Sequence, residues 1–246
     1  MNHLEENSVA RRIVSDYLVD NTKGSESHWT LETISVGLIN STWKVICNGE
    51  PRYVMQRIND QVFTNPPAID SNIRMLVSHI DSHKEKCPFP KPVAFYDSIT
   101  LLHAEEHSYF RLFDYIPHSL TYTAVTSPNV AYEAAKQFGN FVKAFADFDA
   151  SSLLITIPDF HNLRKKYDAF LLAVQTGIRE RIQVAKELID EVQNCSFICS
   201  QYDDIVANKQ LEARVVHHDA KISNMLFMDS QEIGKTHAIL VITTLL

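Results

Sequence analysis

The chain has 246 residues, 45% hydrophobic and 22% charged, with a net charge of −7 and a pI near 5.9. That balance fits an ordinary globular protein of one large domain or two small ones, and with no lysine/arginine cluster it argues against a nucleic-acid surface. Residues 1–10 are polar and acidic without an apolar core, and no apolar run approaches the ~20 residues of a membrane span, so a cytoplasmic protein with no membrane partner is expected. The four cysteines, Cys47, Cys87, Cys195 and Cys199, lack metal-ligand spacing and are expected as reduced thiols.

In chain order, Val9, Ile13 and Tyr17 recur at helical spacing and predict a helix over Ser8–Val19 with Ser8 as its cap. Three strand-like runs follow, "WTLETISV", "TWKVICN" and "RYVMQRI", joined by the hairpin signals "GLINS" and "NGEP". Asn65-Pro66 opens a helix whose apolar face is Ile69, Ile73, Leu76 and Ile80. After "CPFPKP" come two more strand-like runs, "VAFYDSITLLH" and "SYFRLFDYI". Beyond Pro117 the pattern turns helical. Ser127-Pro128 starts a helix with Ala135, Phe138, Val142, Phe145 and Phe148 near one face, and helices are expected near Leu163–Val174 and Ile178–Val192, with another before Arg214. A β-rich half and a helical half predict two lobes with a hinge near Tyr115–His118.

Late in the chain, "HHDAKISN" separates two apolar runs that read as strand ends. Phosphoryl transfer needs a carboxylate for the acceptor hydroxyl, a metal on the phosphates and a cation against developing charge. Asp219 can accept the hydroxyl proton, and Asn224 offers a carbonyl oxygen of the kind magnesium takes. Lys221 can carry its ammonium to the transferred phosphate, while His217 suits bracing the loop. Alone, the segment reads equally well as a plain polar loop. A metal site from His217, His218 and Asp219 is disfavoured, because adjacent side chains of an extended segment diverge. "SVGLINSTWKV" is strand, glycine turn, strand, a form that can fold N–H groups over phosphates or serve as a simple hairpin. Tyr53, Met55 and Arg57 share a face of the next strand. Arg57 reads either as a phosphate-reaching cation or as a surface arginine.

Glycine turn, basic strand residue, helix, hinge strand and late H-x-D-x-x-x-x-N loop form one series. It resembles the aminoglycoside phosphotransferase and choline kinase superfamily. "YVMQRIN", "VFTNPPAI", "TIPDFH" and "HHDAKISNMLF" resemble its N-acetylhexosamine 1-kinase branch more closely. The resemblance implies an α+β, two-lobed protein-kinase-like fold: an antiparallel β lobe over residues 1–116, and a mainly helical lobe over residues 117–246 carrying the catalytic loop. It implies ATP and Mg2+ as cofactors. By the same resemblance Asp219 is the base and Lys221 a phosphate contact, Asn224 is a metal ligand, and Arg57 replaces the usual strand lysine. Gly37, Asn40 and Ser41 belong to the turn over the nucleotide phosphates. The backbone of Asp114 and Ile116 reads adenine, and the Thr156–His161 loop lies near the acceptor, with Thr156 and His161 as substrate contacts. Asp70 stands near the place of an acidic partner for Arg57.

The family's metal-holding aspartate is expected after "HAILVI", where Thr243 and Thr244 stand, so a shortened helical lobe and impaired turnover are expected. The reading is an ATP-dependent kinase of a small hydroxylated metabolite, an amino sugar first. Its rivals are a choline, ethanolamine or aminoglycoside kinase, and an inactive nucleotide-binding protein.

Overall fold

The computed structural model describes residues 3–18, 28–34, 39–83, 89–105, 108–229 and 236–240. Helix α1 spans His3–Tyr17, so Ser8 is interior and does not cap it. The polar start of α1 is helical because the sheet supplies its partners: Trp43 Nε1 donates to Asn7 Oδ1 at 2.6 Å, and Glu6 is bound as described below. Val9, Ala10, Ile13, Val14 and Leu18 form its buried stripe, packed with Trp43, Val45, Met55, Phe110 and Leu112.

The sheet under α1 is antiparallel throughout. It comprises β1 (Trp29–Thr33), β2 (Ser41–Cys47), β3 (Glu50–Ile58), β4 (Pro92–Val93), β5 (Leu101–Glu105) and β6 (Ser108–Asp114). Strands run in the order β1-β2-β3-β6, and β4 and β5 both pair with β6. The β2–β3 turn has Asn48 and Gly49 at φ 51° and 87°. Those are the left-handed angles that a tight hairpin demands and that Asn-Gly adopts at little cost. The run expected as one strand from Val93 to His103 is broken. Asp97 and Ser98 take φ 39° and 72° in a turn bridged by Tyr96 and Ile99, since Asp-Ser is good turn chemistry that outweighs the apolar flanks.

Helix α2 (Pro66–His83) begins where Asn65 Oδ1 accepts from Ala68 N, and it buries Ile69, Ile73, Leu76 and Ile80 as expected. Helix α3 (Pro128–Ala144) is capped by Ser127 Oγ, which accepts from Val130 N. Its buried face is Val130, Glu133, Ala134 and Phe141, continued by Phe145; Ala135 and Val142 face out, a rotation from the expected stripe. A second antiparallel sheet joins β7 (Ser119–Leu120), β8 (Met225–Asp229) and β9 (Thr236–Leu240).

Met1–Thr156 with Arg214–Leu246 form one compact unit, and Ile157–Ala213 form another. The expected boundary at residues 116/117 lies inside the first unit, because β7 pairs with β8 and buried Asn72 of α2 is bonded to Leu154. The second unit holds α4 (Leu163–Thr176), α5 (Arg179–Val184), α6 (Lys186–Asn194) and α7 (Phe197–Ala207), with α4 and α7 joined by Arg164 and Asp203 at 2.8 Å. The helix expected over 178–192 is divided at Ala185, where no glycine or proline marks a break. Among the described residues no helix is long and apolar enough to cross a membrane. Cys47, Cys195 and Cys199 are free thiols; Cys87 lies outside the described residues.

Candidate active site

The polar loop is built on a buried foundation. Val215, His217, Asn224, Met225 and Phe227 are all buried, so its two ends are fixed in the core. His217 sets its ring edge-on to Phe138 and Phe141 of α3, at 5.9 and 5.8 Å between centroids. Its Nδ1 receives the backbone N–H of Asp219 at 3.4 Å, the bracing part foreseen for it. His218 then takes φ 61°, a left-handed turn that swings the chain outward to Asp219. Lys221 Nζ meets Asp219 Oδ2 at 2.9 Å, and Asn224 Nδ2 donates to the Asp219 carbonyl at 2.9 Å. Asp219, Lys221 and Asn224 are therefore one cluster.

Partial burial pushes the Asp219 carboxyl upward. The hydrogen bonds from Lys221 and Asn224, with the charges of Lys221 and His217, outweigh it and hold the group below the ordinary aspartate range. Asp219 is thus an ionised carboxylate at neutral pH, and Lys221 lies on the solvent side of it, 55% exposed.

Two residues beyond Asn224, Leu226 on β8 forms one wall of a cavity of about 430 Å³. Val54 of β3, Lys44 of β2, and Glu32 and Thr33 of β1 also line it. The chain from Phe113 to Ile116 runs along it, so Asp114 and Ile116 are among its lining residues, where β6 leaves the sheet. Tyr115 N donates to Arg52 O at 2.9 Å and anchors that strand end. Lys44 pairs with Glu32 at 2.6 Å on the cavity's lining, and this hydrogen bond holds the ammonium above its ordinary value.

Arg57 is directed elsewhere. It shares a face of β3 with Met55, which packs under α1, whereas Val54 faces the cavity. Arg57 Nη1 binds Glu6 Oε1 at 3.0 Å, and Ser41 Oγ donates to Glu6 Oε2 at 2.8 Å. The acidic partner of Arg57 is therefore Glu6 of α1. Asp70 instead binds Arg74 and Thr100, at 2.8 and 2.6 Å. Asn40 is buried, and its Oδ1 accepts from Asn59 N at 2.9 Å, which ties the turn before β2 to the end of β3. Gly37, with Thr243 and Thr244, lies outside the described residues. Thr156 is buried in the first unit; His161 belongs to the second, its ring against Phe160 at 4.8 Å.

Several residues here carried no motif. Glu6 lies in a segment read as preceding a helix. Lys44 and Val54 could have been found by strand alternation, being out of phase with Trp43, Val45 and Met55. Gln56, in phase with Val54, accepts from Arg111 Nε and Nη2 at 3.0 and 2.6 Å. Arg111 is 3% exposed; burial pushes its guanidinium down to about 10, with Asp70 opposing the shift.

A β sheet with a helix on it, a strand leaving that sheet along a cavity, and an Asp-Lys-Asn loop leading into a strand that lines the same cavity are the parts of a protein-kinase-like phosphotransferase. Residues 30–234 match the model of the phosphotransferase enzyme family (APH), and the chain belongs to that family, a family of small-molecule kinases. Among solved structures it is similar to a spectinomycin phosphotransferase crystallised with ADP and spectinomycin, with a TM-score of 0.54 and 11% identity over 95% of this chain and 69% of that one. It is also similar to choline kinase from Cryptosporidium parvum Iowa II, with a TM-score of 0.50 and 14% identity over 98% of this chain and 64% of that one.

Proposed function

We propose that the chain transfers the terminal phosphate of ATP to a hydroxyl of a small metabolite, an N-acetylhexosamine-like amino sugar. The observation that carries this is the continuity of Asp219, Lys221 and Asn224 with Leu226, which joins a candidate base to a wall of the cavity. In this reading residues 1–116 are the nucleotide-binding lobe. Adenine lies between Val54 and Leu226 and is read by the backbone of Asp114 and Ile116. The ADP held by the spectinomycin enzyme is the precedent for a nucleotide in this fold. The turn of Gly37, Asn40 and Ser41 covers the phosphates, and Arg57 serves it through Glu6 and Ser41 as a positioning residue.

Asp219 takes the proton of the acceptor hydroxyl as that oxygen bonds to phosphorus and the bond to the leaving ADP oxygen breaks. Its lowered pKa suits a loose transition state, in which the proton moves late. Lys221 supplies positive charge against the transferred group. The donor set fits magnesium: the Asn224 amide nitrogen is committed to the Asp219 carbonyl, and its oxygen is a hard neutral donor beside a carboxylate. Bound there, Mg2+ neutralises phosphate charge. Thr156, the first residue of the "TIPDFH" run, contributes an acceptor contact.

The test is ADP release with Mg2+ over a panel of N-acetylhexosamines, choline, ethanolamine and aminoglycosides. Highest kcat/KM on an N-acetylhexosamine is the expected result. A panel led by choline or an aminoglycoside overturns the acceptor, and nucleotide binding without turnover on any acceptor overturns the enzymatic reading.

A further inference from the structure

One turn of α2 sets His79 and His83 side by side, and the chain just past α3 brings Asp147 to both. His79 Nε2 lies 3.2 Å from Asp147 Oδ1, and His83 Nε2 lies 3.3 Å from Asp147 Oδ2. One ligand atom from each residue falls within 4.8 Å of the others. None of the three lines the cavity or belongs to the polar loop.

His83 Nδ1 is 2.9 Å from the His79 carbonyl oxygen, so with the ring proton on Nδ1 that contact is a hydrogen bond and Nε2 is left facing the carboxylate. The two rings lie 4.3 Å apart between centroids, and a single divalent ion can meet both Nε2 atoms and the carboxylate together.

The geometry suits that ion. Ligands bonded at ~2.0 Å in a tetrahedron are separated by roughly 3.3 Å, and each histidine lies at about that distance from one carboxylate oxygen of Asp147, His79 from Oδ1 and His83 from Oδ2. The bond from His83 Nδ1 to a carbonyl is the outer contact that orients a metal-binding imidazole. The His79 ring is fixed edge-on by Phe148 at 5.2 Å, so it is placed before any ion arrives. We propose that His79, His83 and Asp147 bind a divalent transition metal, zinc by the donor set, which clips α2 to the end of α3 and leaves a fourth position for water.

The experiment uses untagged chain stripped with EDTA, titrated calorimetrically with ZnCl2 and separately with MgCl2, with Tm measured alongside. The variants are H83Q and the double variant H83Q/D147N. His83 and Asp147 are largely exposed, so both should fold, and circular dichroism in EDTA checks this. Exposed Cys195 is changed to serine in every sample to remove a competing thiol. One zinc per chain, a Tm raised by zinc and not by magnesium, and affinity reduced at least ~10-fold in folded H83Q and further in the double variant are expected. Zinc uptake unchanged in the folded double variant overturns the site. So does the absence of stoichiometric uptake by the parent chain, which would leave the trio a histidine–carboxylate ion pair.

Discussion

Lys221 is the residue through which the ionisation of Asp219, the proposed base, can be adjusted without removing its carboxyl. The depressed Asp219 carboxyl stays ionised above the ordinary aspartate value of about 4 and protonates only below it. Activity therefore has no acid limb between pH 5 and 8 from this group, and any stability it contributes is lost only as pH falls through its lowered native pKa. Lys221→Met removes a hydrogen bond and a charge that favour the anion, so the acid limb of kcat/KM should move upward. A limb that stays in place would show that Lys221 does not tune the base. Arg57 separates two roles by two readouts. Its side chain and that of Glu6 are 12% and 11% exposed, so Arg57→Ala removes the cationic partner of a mostly buried carboxylate and should destabilise by about 3 kcal/mol in denaturant unfolding. Loss of nucleotide affinity with stability unchanged would mean that Arg57 touches phosphate.

At the scale of elements, Asn72 is a fixed point. Its side chain donates to Leu154 O at 2.8 Å and accepts from Leu154 N at 2.9 Å, tying α2 to the segment that leads to Thr156. Asn72→Ala should cost about 2 kcal/mol, the scale of two lost bonds at a buried site, and should raise KM for the acceptor if that segment contacts it. Asn72 was illegible in the sequence because its partner is a backbone 82 residues away, and no motif encodes such a contact. The hairpin strands, α2 and α3 were legible, since alternation, Asn-Pro and Ser-Pro starts and Asn-Gly turns are local signals. The break at Asp97-Ser98 was missed because apolar flanks concealed a turn pair. The polar loop was readable as a cluster because all its members lie within eight residues. Arg57 was misdirected by one parity step: Val54 faces the cavity, and Arg57, three residues on, faces α1.

At the scale of the whole molecule, the proposed nucleotide site is a cavity formed within the first unit by β1–β3, the strand leaving β6, and β8. Saturating ADP with Mg2+ at ~100 times Kd should stabilise by about 2.7 kcal/mol and raise Tm by several degrees. Val54→Trp fills the cavity from the sheet side and should abolish that shift while the ligand-free protein remains folded. The measurement that bears most directly on the central claim is acceptor-dependent ADP release by the parent chain and by Asp219→Asn, with ADP affinity determined for both. Turnover reduced on the order of 100-fold or more, the contribution of a positioned base, with ADP binding retained, is the expected result. Acceptor-dependent turnover that survives Asp219→Asn would contradict it and remove the polar loop from the chemistry.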